Sequence, residues 1–237
     1  MKLKQYLAVC LVSVFAFTGA AVDLSQYENW FSCTFSGCSV GDRLADDTGA
    51  TGGGWGQNVS SLPEAIKISG YSDGKRLDIT RNVMNTPVFT ADRLRWSSSD
   101  LVFRFKAAFK EPEVNTQRTT YSSMKTSFWI GKDSSSKPCF YGYGSDGWVA
   151  LEDPTGTVSA AFNKIFNILW VIRGGQVAFY IEQDGEQYLL RAVDGRTSLT
   201  LAGDGESVSR VEFAGEGSIS DFSALYRKNE VGFKIRQ

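Results

Sequence analysis

The chain reads as an all-β protein, a single antiparallel β-sandwich, and three observations carry that expectation. Hydrophobicity alternates with a period of two along much of residues 166–226. Pairs of turn residues (Gly174-Gly175, Asp184-Gly185, Asp194-Gly195) punctuate the alternation at the spacing of tight hairpins. No segment of the mature chain longer than about one turn carries helical periodicity.

Taken in order, the first element is a leader rather than part of the fold. Lys2 and Lys4 precede an apolar run from Tyr6 to Phe17, and Thr18-Gly19-Ala20-Ala21-Val22 supplies small residues for signal peptidase. The run is shorter than the roughly 20 residues a membrane-spanning helix needs. Residues 1–21 are therefore expected to be a signal peptide cleaved after Ala20 or Ala21, and 22–237 one domain. A lipidation reading at Cys10 fits poorly, because bulky Val9 stands directly before that cysteine. No second apolar run follows, so no membrane span is expected after cleavage.

Within the domain, Leu77–Thr80 and Pro87–Thr90 read as short strands. Leu101, Phe103 and Phe105 alternate with Val102, Arg104 and Lys106, and Phe128 and Ile130 lie opposite Trp129. Phe166–Ile172 is apolar at nearly every position, as in a central strand covered on both faces. Gln176–Glu182, Tyr188–Val193, Leu199–Leu201, Arg210–Ala214 and Asp221–Tyr226 complete the series. Ser61-Leu62-Pro63-Glu64 before Ala65-Ile66 resembles a capping box and predicts one helical turn. Arg95–Asp100, Glu111–Ser123 and Lys132–Lys137 read as polar loops. Neither a repeat nor a linker divides the mature chain.

Composition narrows the chemistry. There is no histidine, which excludes a Ser-His-Asp triad, a Cys-His pair, a histidine-ligated zinc and a histidine pH switch. Basic and acidic residues number 25 and 26. Removing the leader with Lys2 and Lys4 leaves 216 residues bearing 23 basic and 26 acidic side chains. A mild, mixed charge lacks the basic stripe that nucleic acid requires, so no nucleic-acid partner is expected. The mature domain holds Cys33, Cys38 and Cys139. Cys33 and Cys38 are spaced to close a small loop, Cys139 with either one is the alternative, and three small buried hydrophobes are the third reading.

On these residues a resemblance can be stated. Asn29-Trp30-Phe31, Gly41-Asp42-Arg43-Leu44 and Thr48–Gly56 (TGATGGGWG) resemble the opening of exported bacterial jelly-roll domains of the concanavalin-A-like, laminin-G-like group. The stretch FNILWVIRGGQVAFYIEQDGEQYLL is similar to that group's tryptophan strand, hairpin and next strand, and VEFAGEGSISDFSALY to its closing pair. The resemblance implies a lectin/glucanase architecture, which by itself assigns no activity.

It also implies candidate sites. Glycosidases of the laminarinase and lichenase type carry a Glu-x-Asp-x-Glu row on one strand face. Carried over, that row makes Glu182 the nucleophile, Asp184 the helper and Glu186 the acid/base, with the two catalytic carboxyls about 5–5.5 Å apart. This chain departs from the pattern at Gln183 and Gly185, and Asp184-Gly185 reads as a hairpin tip. Sugar-binding jelly-rolls present flat rings to pyranose faces. Here Trp55, Tyr141, Tyr143 and Trp148 sit beside glycine-rich loops, with Tyr141 and Tyr143 sharing a face and Gly142 and Gly144 opposite. Core packing is the competing reading for any of these rings, and the one that fits Trp170. Members of the group often tie strands with a structural calcium, for which Asp42, Asp46, Asp47 and Asp221 are the candidates. The Asn58-Val59-Ser60 sequon reads as a polar surface turn.

The expectation is thus an exported, lectin-like module that binds glycan or another extracellular ligand without catalysis. Two alternatives remain open: a glycoside hydrolase or polysaccharide lyase using carboxylates or Tyr, Arg and Lys, and a structural surface or assembly component bonding through a sheet edge.

Overall fold

The structure, a computed structural model, describes residues 20–41, 55–56, 66–80, 88–90, 100–111, 120–123, 126–202, 210–214 and 216–228. Cys10, most of the leader, the Asn58 sequon, the capping box at 61–64 and the calcium candidates Asp42, Asp46 and Asp47 lie outside the described residues. A single 3-10 turn at Leu24–Gln26 opens the described chain, capped by the Asp23 carboxylate, which accepts from Ser25 N–H. Seventeen strands follow: β1 Tyr27–Cys33, β2 Trp55–Gly56, β3 Ile66–Tyr71, β4 Gly74–Ile79, β5 Val88–Thr90, β6 Asp100–Phe109, β7 Thr120–Ser123, β8 Thr126–Lys132, β9 Pro138–Gly144, β10 Gly147–Glu152, β11 Ile165–Arg173, β12 Gln176–Gln183, β13 Glu186–Leu189, β14 Arg191–Ala192, β15 Leu199–Thr200, β16 Arg210–Ala214 and β17 Gly217–Arg227.

They form two layers. The first sheet runs β13-β12-β11-β6-β17-β4-β3, with β1 also on β17 and β15 also on β12. The second runs β14-β10-β9-β8-β7-β16-β5-β2. Every pairing among the described strands is antiparallel. The chain forms the antiparallel β-sandwich that its period-two pattern predicts.

Alternation explains the core. Phe103 and Phe105 on β6, Trp170 on β11, Phe179 on β12 and Phe222 on β17 point between the layers and meet Phe128 and Phe140 of the second sheet. Trp170 is fully buried and packs edge-on against Phe103, Phe105 and Phe179 at 5.7–6.2 Å between ring centroids. Burying such a ring contributes about 4–6 kcal/mol of gross transfer energy. Its indole Nε1 has no hydrogen-bond partner among the described residues, which offsets about 1–3 kcal/mol of that.

β11 is apolar on both sides because both sides are covered. Its outward Leu169 and Val171 join Tyr27, Val102, Ala178, Tyr180 and Leu189 in a second cluster, roofed by Val22, Leu24 and Leu225. The expected leader junction, Ala20–Val22, therefore lies along the outer face of the first sheet. Val22 N–H donates to Gln187 Oε1 at 2.6 Å.

Charge locks one end of this sheet. Asp100, 3% exposed, accepts from Tyr27 Oη (2.5 Å), Arg173 Nε (3.1 Å) and Arg227 Nη1 (3.1 Å), linking β6 to β1, β11 and β17. Burial first, then the bond to Asp100, pushes the Tyr27 phenol up to about 12.

Several expectations are corrected. Thr120–Ser123, read as loop, is β7; its polar composition hides a strand whose partners lie on β8 and β16. Ile66, placed on a helical turn, begins β3, and Lys132 and Asp100 belong to strands β8 and β6. Tyr188–Val193 is two strands, because the chain leaves the first sheet at Leu189 (paired with Tyr180) and joins the second at Arg191 (paired with Glu152). Both Leu190 and Ala192 are buried at the crossing, so the apolar run reads as one strand although it serves two layers.

Candidate functional site

The strand register sorts β8, β9 and β10 into an inner and an outer face. Phe128 pairs with Gly142 and Ile130 with Phe140, and these positions look inward. Trp129 pairs with Tyr141, and Tyr143 with Trp148, on the outer face. Ring contacts agree: Trp129 lies 5.1 Å from Tyr141 and 5.9 Å from Trp148, and Tyr143 lies 5.3 Å from Trp148. Four rings thus form one contiguous platform on the outside of the second sheet.

Glycine explains how it is built. A Cβ on Gly131 would fall 2.2–2.6 Å from the Trp129 ring, so the indole lies back along β8 over a position with no side chain. Gly142 and Gly144 serve the opposite face. A Cβ at Gly142 would strike Phe179, Leu199 and Leu151, and one at Gly144 would lie 2.5 Å from the Thr200 carbonyl. The Tyr-Gly-Tyr-Gly alternation therefore puts rings outside while the two layers close tightly inside.

Exposure grades across the platform. Trp129 is 7% exposed, and Ser127 on the same strand face is also buried. Tyr141, Tyr143 and Trp148 are half-buried, leaving part of each ring open. Tyr141 Oη donates to the Lys132 carbonyl at 3.2 Å, which orients its ring. Cys139 shares this face; burial pushes its thiol up from its ordinary value, so it is a poor nucleophile.

Beyond the rings stand Glu152 and its neighbour across the strands, Arg191 on edge strand β14. Arg191 Nε is buried with no hydrogen-bond partner among the described residues. The result is an apolar surface of mutually tilted rings, at 31–66° to one another, ending in a cation and a carboxylate.

The remaining sequence candidates are dispersed. Trp55 lies on β2, at the opposite edge of the second sheet from β9 and β10, so the structure does not bring it to Tyr141, Tyr143 and Trp148. Asp184 and Gly185 form the hairpin tip with φ of 54° and 83°. Glu182 pairs with Gln187 and Glu186 with Gln183, and because adjacent residues alternate, Glu182 and Glu186 face opposite sides. Glu182 is engaged by Arg104 Nε (2.8 Å) and Gln187 Nε2 (3.3 Å). Asp221 pairs with Lys106 Nζ at 2.6 Å. Among the described residues no group of three or more His, Cys, Asp or Glu converges as metal ligands. Cys33 and Cys38 are both buried in the main core, at the two ends of the loop that follows β1.

Sequence reasoning does not single out Trp129, Glu152 or Arg191. On sequence Trp129 is only the residue opposite Phe128 and Ile130; the signal that finds it is Gly131 two positions on, a vacancy on the same face. Arg191 had no such signal, because it depends on a sheet crossing.

No protein-family model matches the chain, and no curated protein matches its sequence. Solved structures similar to it include domain 4 of AbnA, a GH43 extracellular arabinanase from Geobacillus stearothermophilus, in complex with arabinotriose. That likeness has 11% identity and a TM-score of 0.49, over 85% of this chain and 94% of that one. Sheep galectin-11 in complex with glycerol is similar at 10% identity and a TM-score of 0.38, over 60% and 99%. The Ca2+/mannose-bound exoplasmic/lumenal domain of VIP36 is similar at 8% identity and a TM-score of 0.43, over 72% and 85%. No helix among the described residues is long and apolar enough to cross a membrane. The architecture, an antiparallel β-sandwich, rests on the strand pairing itself.

Proposed function

We propose that the chain is an exported, non-catalytic module that holds carbohydrate against the outer face of its second sheet. One observation carries the reading: Tyr141, Tyr143 and Trp148, backed by Trp129, form a half-open aromatic surface fixed by strand pairing. Tyr141, Tyr143 and Trp148 each keep part of the ring accessible to a ligand. The flat C–H face of a pyranose matches rings held in that way, and Glu152 and Arg191 supply an acceptor and donors for its hydroxyls at the rim.

The non-catalytic half rests on where the acids lie. Glycosidic cleavage uses two carboxyls facing one another across about 5–10 Å. The outward residues of β8, β9, β10 and β14 include one carboxylate, Glu152. Export rests on the leader pattern of residues 1–21.

The test is a glycan-array screen of the exported chain with reducing-sugar release assayed in parallel. Trp148→Ala is expected to weaken glycan retention by about tenfold or more, a loss of about 1.4 kcal/mol, while keeping the melting temperature within a few degrees. Trp170→Ala is expected to lower stability by about 3–5 kcal/mol. Equal retention by Trp148→Ala and its parent removes the platform as the receptor face.

A further inference from the structure

The two strands that flank β17 on one side part company in its middle. β4 pairs with Gly217–Ile219 and β1 with Phe222–Arg227. On the other side the register with β6 slips by one residue between Ser220 and Ser223. This bulge has a cause in the sequence. Unbroken alternation from Ile219 would carry Asp221 into the core; one extra residue sends Phe222 inward instead and turns Asp221 out, at φ 49°. A non-glycine residue in that region of the backbone is uncommon and points to a local requirement.

The fork leaves a cleft of about 310 Å³, which takes side chains from the loop after β1, the β3–β4 hairpin, β6 and the bulge. Its charges do not balance. Asp73 pairs with Arg76 at 2.7 Å and Asp221 with Lys106 at 2.6 Å. The third cation, Lys75, donates to the carbonyls of Ser36 and Cys38, so its charge has no carboxylate opposite it among the residues lining the cleft. Lys106 also acts on Asp73 across the cleft: Arg76 first, and Lys106 in addition, hold that carboxyl below its ordinary value. The floor is hydroxylic. Ser220, 6% exposed, makes no side-chain hydrogen bond among the described residues, and Thr34 donates to Ser36 Oγ at the rim.

We propose that this fork binds a small monoanionic polyol, a hexuronate-type sugar acid, with its carboxylate drawn in by Lys75 and held between Lys75, Arg76 and Lys106, and its hydroxyls on Ser220, Ser36 and the two aspartates. The single surplus positive charge matches one carboxylate. A bare inorganic anion would meet Asp73 and Asp221 with no proton to offer them, whereas a sugar acid donates hydroxyls to both. The volume lies at the lower end of the range for small-molecule sites. Ser220 gains the partner it lacks. This site lies on the first sheet, and the inference stands apart from the platform reading.

The experiment is an NMR titration of the full chain with glucuronate, glucose and inorganic sulfate, repeated on Lys106→Met, Arg76→Gln and Glu186→Gln. Glucuronate is expected to shift resonances around Ser220 and Asp221 and to saturate in the millimolar range or below. Glucose and sulfate are each expected to bind about tenfold more weakly or worse. Lys106→Met and Arg76→Gln are each expected to weaken glucuronate at the fork resonances by about tenfold, and Glu186→Gln, outside both sites, to leave it unchanged. Sulfate matching glucuronate would reduce the fork to an anion site and overturn the proposal. So would glucose matching glucuronate, full affinity in both charge variants, or an unresponsive Ser220. If Lys106→Met unfolds, Arg76→Gln decides alone.

Discussion

At Gly131 the absence of one carbon decides where an indole lies. The nearest atoms to a Cβ built there belong to Trp129 itself, at 2.2–2.6 Å, so the ring and a side chain at 131 compete for one space. Gly131→Ala is expected to lift the indole off the sheet, costing about 1–3 kcal/mol as an overpacked site does. A red-shifted tryptophan emission together with a lowered melting temperature is the readout; an unchanged spectrum would mean the ring lies elsewhere. Asp153 shows the opposite balance, a buried group that remains charged. It is 8% exposed and accepts from Thr155 N–H, Thr155 Oγ1 and Val158 N–H, which ties down the turn after β10. Burial pushes its carboxyl up, but these hydrogen bonds outweigh it and hold the group below its ordinary value of 3.8. The unfolded chain therefore takes up the proton first as pH falls. Asp153 contributes stability above the ordinary carboxylate value, and that contribution disappears as pH drops through the lowered folded value. Asp153→Asn is expected to destabilise at neutral pH and to flatten the fall of melting temperature between about pH 5 and pH 2. An acid limb as steep as the parent's would place the titration in another group.

Between elements, the hairpin joining β12 and β13 breaks the Glu-x-Asp-x-Glu row. Asp184 and Gly185 hold the two left-handed positions of a tight turn, and the pairing on either side sends Glu182 and Glu186 to opposite faces. Glu182→Gln and Glu186→Gln are each expected to leave glycan retention unchanged; exposed Glu186 should move stability by less than about 1 kcal/mol, and Glu182, mostly covered beside a half-exposed Arg104, by about 1–2 kcal/mol. Reducing-sugar release by the parent that vanishes in either variant would restore the enzyme reading. The same hairpin marks what is legible in a single sequence. Gly174-Gly175 and Asp184-Gly185 bound strands whose alternation is strong, and β11, β12 and β16 fall within a residue of where the pattern places them. Tyr141 and Tyr143 share a face as their spacing requires. β7 was illegible because Thr-Tyr-Ser-Ser carries little apolar signal. The split of β13 from β14 was illegible because a crossing between layers leaves the hydrophobic run intact. Trp129 and Arg191 joined the platform only once cross-strand register was known, and register is a property of two segments that neither contains alone. The fork beside β17 was hidden for the same reason: it exists because β1 and β4, far apart in sequence, pair with different halves of one strand.

On the scale of the whole molecule, β17 is the strand through which the first sheet closes. It pairs with β6 on one side and with both β4 and β1 on the other, so the first and last described strands are neighbours: Tyr27 sits opposite Arg227. Phe222 stacks between Phe103 and Phe105 at 6.1 and 6.0 Å, carrying β17 into the aromatic core. Arg227 closes on Asp100 at the charged end of the sheet. Sheets assembled from pairings so remote in sequence fold slowly, because loop closure precedes the contacts that reward it. Here closure must wait for nearly the whole chain. A chain ending at residue 216 is therefore expected to lack a native state rather than to be a weaker version of it. β6 would lose one neighbour, β4 and β1 would lose their attachment to the sheet, and Phe103 and Phe105 would be uncovered. Phe222→Ala, by contrast, should lose about 3–5 kcal/mol and still unfold in one cooperative step. Near-UV circular dichroism and urea unfolding separate the two outcomes. A truncated chain with native near-UV signal and a sharp transition would show that the sheet closes without β17, and the account of its topology given by these pairings would fail.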